Sequence, residues 1–543
     1  MREMTSSTAD VVIVGAGFGG MYMLHKMRGL GLRAIVLERA TGVGGTWYWN
    51  RYPGARCDVE SMQYSYSFDP QLQQEWNWSE RFASQPEILS YANHVADRLD
   101  LRRDIRFETS VTSAAYDEAS QSWMVGTDGG DTVTARFCVM ATGCLSTSRQ
   151  PDFPGLSNFK GKTYHTGHWP HEGVDFTGKR VGVIGTGSSA IQAIPVIAEQ
   201  AAHLTVFQRT PNFSIPTRNK AMDGAYEGWW KKDYPKHRNL ARTLRAGVIT
   251  NLNDMSALSV DAAERQRVYE DRWALGGTSF MASFNDLSVN KASNDTAAEF
   301  VRSKIRATIT DPAVAEILLP HNHPIGTKRI CVDSHYYETY NRPNVSLVDV
   351  RNSPIETITA DGVMVAGREY PVDIIVFATG FDAMTGTLVG INPHGRDGAT
   401  LAEEWEAGPR TYLGLMSAQF PNLFMITGPG SPSVLSNMIV SIEQHVDWVS
   451  DCIAYMNRNG LTAIEPRRDA QDAWVEHVNE MAFRTLYPTA NSWYMGANIP
   501  GKPQVFMPYI GGVGAYRVKC DDVAAKGYEG FELGAGQARA AAE

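Results

Sequence analysis

Two glycine-rich turns hold the residues of this chain best suited to chemistry. The first, GAGFGG, sets Gly15, Gly17 and Gly20 in a GxGxxG pattern. The second, GTGSSA, sets Gly185, Gly187 and Ala190 in GxGxxA, with Ser188 and Ser189 between them. Glycines at that spacing let the backbone approach a pyrophosphate, whose charge then faces a helix N-terminus. After the first turn, GGTWYWNRYPGARCD (residues 44–58) offers a glycine pair, aromatics and a proline, the makings of a wall against a flat ring. Lys328 and Arg329 are adjacent cations that read, on their own, as a basic pair in a loop. Oxidation and reduction on bound dinucleotides is the chemistry these residue types support.

The elements that must position them follow from pattern. VVIV, residues 11–14, is a short continuous apolar run, as a buried parallel strand requires. MYMLHKMRGLG reads as a helix ending at glycine, and AIVLE as a second strand closing on Glu38. Strand, glycine turn, helix, strand and an acid about 20 residues on make the dinucleotide fingerprint, with Glu38 accepting from a ribose hydroxyl. RVGVI and the second turn repeat the signal, and the strand HLTVFQR ends at Gln208 and Arg209. No acid stands there. An arginine suits the 2′-phosphate of NADP, and Thr210 can add a hydroxyl. Two different dinucleotide folds in one chain imply a bound flavin, FAD, and a transient NADPH.

Between the turns lies FKGKTYHTGHWP, residues 159–170, which by itself reads as a polar loop. His165, His168 and His171 are spaced three and three, which invites a metal reading. It is set aside: no carboxylate or cysteine joins them, and glycine and proline break the helix. His165 is expected to hydrogen-bond within this linker. Residues 64–78 are rich in aromatics and read as core, 86–99 as a helix, and 105–107, 123–127 and 133–140 as strands of a small sheet. From about Thr217 to His323 the nucleotide-binding pattern stops and charged amphipathic stretches read as surface helices, with Trp229 and Trp230 assigned to packing. GTKRICVDSHYYETYNR and DIIVFATGFD return to the second nucleotide unit. NLFMIT is a strand, GPGSPSVLSN a constrained loop before a helix, and the final GAGQARAAAE is expected to be disordered.

The expected fold is therefore α/β, with two Rossmann-like dinucleotide-binding domains, for FAD and NADP, and an inserted helical domain. The boundaries are 1–145 and 381–543 for the FAD domain, 146–216 and 326–380 for the NADP domain, and 217–325 for the insert. A length of 543 residues agrees with three to four domains. A net charge of -9 argues against nucleic acid. No apolar run reaches the roughly 18 residues that span a bilayer, and MREMTSSTAD lacks the apolar core of a signal peptide. Six cysteines without a CxxC pair fit reduced thiols in a cytoplasm and weaken a disulfide-reductase reading. The oligomeric state is left open.

Phe159, Gly161, His165, Trp169 and Pro170 match FxGxxxHxxxWP, and residues 44–58 match GGxWxxxxYPGxxxD. On these motifs the chain resembles the type I Baeyer–Villiger monooxygenases over about residues 10–530, and within them the phenylacetone and steroid monooxygenase branch in style. The resemblance implies that NADPH reduces the flavin, that O2 adds at flavin C4a, and that one oxygen is inserted beside a ketone carbonyl to give an ester or lactone. It places Gly45, Thr46, Trp47, Asp58, Tyr64 and Val111 around the flavin. Lys328 would join Arg209 on the 2′-phosphate. Arg329 would be the active-site arginine, oriented by Asp58, and Trp493 would ride a mobile loop over the nicotinamide. Val434, Leu435 and Met438 would wall the substrate pocket, and the likeness to that branch implies aryl, cyclic or steroid-like ketones. His165 would couple domain motion to turnover. The rival readings are a flavin N- or S-oxygenase and a non-oxygenating NADPH-responsive module or uncoupled oxidase.

Overall fold

In the computed structural model, which describes residues 6–149 and 152–535, two separate sheets carry the two glycine turns. The first has seven strands. Ser6–Val14 is flanked in parallel by Ala34–Leu37 and Thr132–Met140, and Ile105–Arg106 extends the far edge. Val11 and Ile13 belong to one core cluster and Val12 and Val14 to another. Alternate side chains thus fill opposite faces of a strand buried on both sides, which explains why its sequence is uniformly apolar.

The outer strands depart from the sequence reading. Ile105–Arg106, Ser122–Thr127 and Thr132–Met140 do not form a small sheet of their own; they belong to this main sheet, with an unanticipated strand at Val111–Asp117. One edge of Thr132–Met140 serves two partners. Its first half pairs antiparallel with Ser122–Thr127, from Thr132↔Gly126 to Ala135↔Trp123. Its last residues pair in parallel with Leu423–Met425, from Cys138↔Leu423 to Met140↔Met425.

The second sheet has five parallel strands in the order Val345–Asp349, His203–Gln208, Arg180–Ile184, Ile374–Phe377, Lys162–His165. Its edge strand corrects the reading of FKGKTYHTGHWP as a loop. Lys162–His165 pairs with Ile374–Phe377, and a 3-10 turn over Thr166–His168 follows. The strand was hidden because an edge strand exposed at Lys162 and Thr163 needs no apolar run.

Residues 217–325 carry five helices: Gly224–Lys232, Tyr234–Thr243, Ala262–Leu275, Lys291–Thr308 and Pro312–Leu318. They are more than surface helices. Trp230 and Tyr234 enter the core of the first sheet, whereas Tyr269, Phe280 and Phe300 enter that of the second. Trp230 is buried and Trp229 is half exposed, so the pair is packing on one side only. At the C-terminal end, Gly534 and Ala535 complete the strand Phe531–Ala535, so the expected disorder does not include them. The rest of that tail, 536–543, lies outside the described residues. No helix among the described residues is long and apolar enough to cross a membrane.

Candidate active site

The two glycine turns are built alike. Gly15 and Gly185 have φ of +102° and +111°, which L side chains rarely adopt. A Cβ on Gly15 would lie 2.7 Å from the carbonyl oxygen of Ala141, and one on Gly185 2.5 Å from that of Ala378. Each turn therefore rests on an alanine of an Ala-Thr-Gly sequence. A Cβ on Gly20 would come 1.8 Å from the Gly15 carbonyl oxygen, so only glycine closes the first turn. At the second, Ala190 is buried in the core of its sheet.

Helices Phe18–Gly29 and Ser188–Gln200 start at Gly17 and Gly187 with no capping side chain and no acid in the first turn. Four helices of the insert are instead capped by Asp223, Asp261, Asn290 and Asp311. Uncapped N–H groups behind a glycine turn suit a pyrophosphate. A Cβ on Gly187 would meet nothing within 4 Å, so the approach is open. The residues present thus fit two dinucleotides.

Around the first turn, Glu38 is buried and accepts from Ala16 N at 2.6 Å and Ala40 N at 2.8 Å. Thr109 N donates to the Glu38 carbonyl at 2.9 Å, which brings Val111, two residues on, to the same end of the sheet. Gly45, at φ +54°, faces Gly17: a Cβ on Gly45 would stand 2.9 Å from Gly17 Cα. The short helix Thr46–Trp49 then leaves Thr46 exposed and Trp47 buried. Trp47 Nε1 donates to the Tyr64 hydroxyl at 3.1 Å. Burial pushes the Tyr64 phenol up, so it stays protonated.

Asp58 and Arg329 meet although they are 271 residues apart. Arg329 Nε donates to Asp58 Oδ2 and Nη2 to Oδ1, both at 2.8 Å, and Nη1 donates to the Val434 carbonyl at 2.8 Å. The Asp58 charge drives the Arg329 pKa upward despite burial. Of the five N–H groups of a guanidinium, these bonds use three and leave two. Tyr494 stands near Arg329 on the same cavity, and its own pKa is pushed up by burial. A cavity of about 220 Å³ opens beside Arg329, with Val59, Val248, Met281, Ile330, Val434 and Leu435 on its walls.

The second turn gathers the other cations. Thr186 Oγ1 donates to the Thr210 carbonyl at 2.7 Å, which ties the turn to the end of the strand carrying Arg209. Burial lowers the pKa of Lys328, and the charge of Arg209 lowers it further. Neither cation has an acidic partner among the described residues, which leaves a site of matched charge for a phosphate. Ser188 Oγ lies 3.3 Å from Cys331 Sγ, and Ser189 stands near Tyr52.

The FxGxxxHxxxWP residues hold their own element. A Cβ on Gly161 would lie 2.3 Å from the Asp373 carbonyl oxygen and 2.5 Å from the ring of Phe159. His165 Nδ1 accepts from Gly167 N at 3.0 Å, and Nε2 lies 3.1 Å from Thr379 Oγ1. Thr379 Oγ1 in turn donates to the Arg149 carbonyl at 3.0 Å. His165 therefore carries its proton on Nε2 and reaches beyond the linker to the second Ala-Thr-Gly sequence. Burial, and then His168, hold its pKa down at about 4. Trp169 is buried against Phe176, 6.2 Å between ring centres, and Pro170 follows it. His168 and His171 pack on Trp49 and Tyr48.

Not every expected pocket residue reaches the cavity. Val434 and Leu435 do; Met438 packs behind, in the cluster that also holds Trp493. Trp493 itself is half-buried in a 3-10 turn, 4.2 Å from the ring of Tyr494, and it is Tyr494 that faces the cavity. Tyr487, and Ala246, Val248, Thr278 and Met281 of the insert, also line it and were missed. Tyr494, beside the Trp493 that was singled out, could have been suspected. The insert residues carry no local signal, because small and apolar side chains in the segments between helices look alike whether or not they line a pocket.

Known proteins resemble this chain throughout its length. A family model described as pyridine nucleotide-disulphide oxidoreductase matches residues 12–235. The matched stretch holds the first glycine turn and the second, and no CxxC pair lies within it. A Baeyer–Villiger monooxygenase of Pseudooceanicola batsensis is 44% identical over 96% of this chain and 95% of its own. A phenazine N-monooxygenase of Lysobacter antibioticus is 42% identical over 96% and 97%. The structure of an oxidised steroid monooxygenase bound to NADP is 55% identical, covers 98% of this chain and all of its own, and superposes with a TM-score of 0.94.

Proposed function

The chain belongs to the type I Baeyer–Villiger monooxygenases, and we propose that Arg329, oriented by Asp58, is the residue that stabilises the oxygen transferred to its ketone. It is an FAD- and NADPH-dependent enzyme that inserts one oxygen of O2 beside a ketone carbonyl to give an ester or lactone. The flavin, reduced by NADPH, supplies the oxygen activation.

The chain's own residues hold and shield the reacting groups. Negative charge develops on oxygen, and a group that gives up a proton there would end the reaction. Arginine is suited because it holds its charge without releasing a proton. Asp58 grips two N–H groups in parallel and the Val434 carbonyl a third. The guanidinium is thereby fixed before substrate arrives, which is what makes an electrostatic contact effective in a transition state. Val59, Val248, Met281, Ile330 and Leu435 give the site an apolar side against which a ketone can rest.

The remaining assignments are proposals, supported by the glycine-turn geometry and by the family motifs. Gly15, Gly17, Gly20, Glu38, Gly45, Thr46, Trp47, Tyr64 and Val111 hold FAD; Gly185, Gly187, Ser188, Ser189, Arg209, Thr210 and Lys328 hold NADPH; Trp493 covers the nicotinamide. We assign aryl, cyclic or steroid-like ketones as substrates, supported by the apolar cavity and by the 55% identical steroid monooxygenase. Six unpaired thiols support a reducing compartment, the cytoplasm. The observation that carries the reading is the bidentate Asp58–Arg329 pair beside an apolar cavity.

The test supplies the holoenzyme with NADPH, labelled O2 and phenylacetone, cyclohexanone or progesterone. An ester or lactone heavier by one labelled oxygen is expected. NADPH consumption that yields only hydrogen peroxide with every ketone would overturn the substrate reading. The phenazine N-monooxygenase relative favours N-oxygenation as the second reading, and faster turnover of aromatic N-heterocycles than of ketones would establish it.

A further inference from the structure

The segment Tyr52-Pro53-Gly54 lies in the sequence of the first sheet yet packs on the second. Tyr52 rests against the second sheet's core. Its hydroxyl donates to Gln192 Oε1 at 2.9 Å. The same oxygen accepts from Arg56 N at 3.3 Å, and Gln192 Nε2 donates to the Arg56 carbonyl at 3.1 Å. Gly54 stands at φ +80°, where a Cβ would lie 2.3 Å from the Gln192 carbonyl oxygen and 3.2 Å from Val196. The contact therefore uses both ends of one carboxamide and a close backbone approach that only glycine permits.

Its position joins two parts of the site. Arg56 precedes Asp58 by two residues, and Gln192 lies one turn into the helix whose N-terminal N–H groups are left for a pyrophosphate. On the other side of that turn, Ser188 reaches Cys331, two residues past Arg329. One helical turn thus touches both segments that bear the ion pair. Gln192 itself does not line the cavity.

We propose that Gln192 is a positioning residue that ties the nicotinamide-nucleotide turn to the Asp58–Arg329 pair and so sets how much of the NADPH consumed ends in ester. The inference rests on the role given to Arg329 above. A neutral carboxamide serves here because one side chain must both accept and donate. Either charged neighbour type would leave one of these backbone groups unpaired.

The test is a double-mutant cycle on FAD-loaded enzyme: Gln192→Met, Asp58→Ala and both. Single-turnover ester is read by mass spectrometry beside hydrogen peroxide and the rate of flavin reduction. Gln192→Met should lower the ester share about tenfold, with peroxide making up the difference and reduction within about twofold, because coupled residues are non-additive only where they act through each other. In the Asp58→Ala background the same substitution should change the share less than about twofold. Val196→Ala, which trims packing on Gly54, should lower the melting temperature and leave the share unchanged. Equal losses in both backgrounds, or no loss, would overturn the proposal. If Arg329→Ala alone leaves ester formation intact, the role of the pair falls first; if it abolishes ester formation while Gln192→Met does nothing, only the present inference falls.

Discussion

Asp58 receives Arg329 as a two-pronged ligand, Nε and Nη2 each at 2.8 Å from a carboxylate oxygen. A single-pronged cation cannot reproduce that. Arg329→Lys keeps a charge but loses the fork, and Arg329→Ala loses both. Both variants should still reduce flavin with NADPH. Oxygenation should fall at least ~100-fold in Arg329→Ala, the usual loss when an oxyanion partner goes, and by an intermediate factor in Arg329→Lys. Stopped-flow reduction and ester yield, measured separately, check this.

The burial of Lys328, with Arg209 close by, predicts both a coenzyme preference and its pH dependence. Arg209→Ala should raise the KM for NADPH ~10-fold or more, since a charged hydrogen bond is worth ~1.5–3 kcal/mol, with little effect on NADH. Lys328 is charged below its lowered pKa and loses its charge above it. The KM for NADPH should therefore rise with pH before a free lysine would titrate. Removing Arg209 takes away one cause of the lowering, so that rise should move to higher pH.

His165 predicts a stability slope. Its pKa in the fold is about 4, below the usual 6.5. A histidine held neutral contributes stability that is complete above pH 6.5 and lost as pH falls toward 4. His165→Asn, which keeps an acceptor for Gly167 N, should flatten the fall of the melting temperature between those values by about one proton's linkage. His323 and His445, each at about 3, remain in both proteins, so the difference isolates His165. Identical slopes would count against the assignment.

The insert should tune substrate size. Val248 lies on the cavity wall. Val248→Phe should slow progesterone at least ~10-fold relative to cyclohexanone, within the 1–3 kcal/mol range that pocket sterics supply. An unchanged ratio of kcat/KM between the two ketones would remove the insert from substrate choice.

Gly20→Ala should purify without flavin, because its Cβ would collide with the Gly15 carbonyl 1.8 Å away. Gly187→Ala, with open space at its Cβ, should keep its flavin and bind NADPH more weakly. The flavin-to-protein absorbance ratio of the two proteins tests flavin retention, and the KM for NADPH of Gly187→Ala tests the weaker binding.

The glycine turns and the strands leading into them were legible because their chemistry is local: apolar runs, φ above zero, and uncapped helix starts all sit within a dozen residues. The Asp58–Arg329 pair was legible only through family motifs, since nothing near Asp58 in sequence points to a residue 271 positions away. Lys162–His165 was missed as a strand because its pairing is supplied by Ile374–Phe377, far along the chain. Val248 and Met281 were missed for a related reason. Their apolar side chains reach the cavity through the packing of the insert, which no periodicity encodes.

Strand Leu423–Met425 has a consequence for how the protein is made. It completes an edge of Thr132–Met140 only after the whole second sheet has been synthesised. A ribosome-bound chain therefore holds an open strand edge beside its first glycine turn for nearly three hundred residues of translation, and such edges invite mispairing. The second sheet, nested within that interval, can close first. Retention of FAD should accordingly appear late, as the last event of assembly, and slow growth temperature should raise the yield of yellow protein more than the yield of total protein.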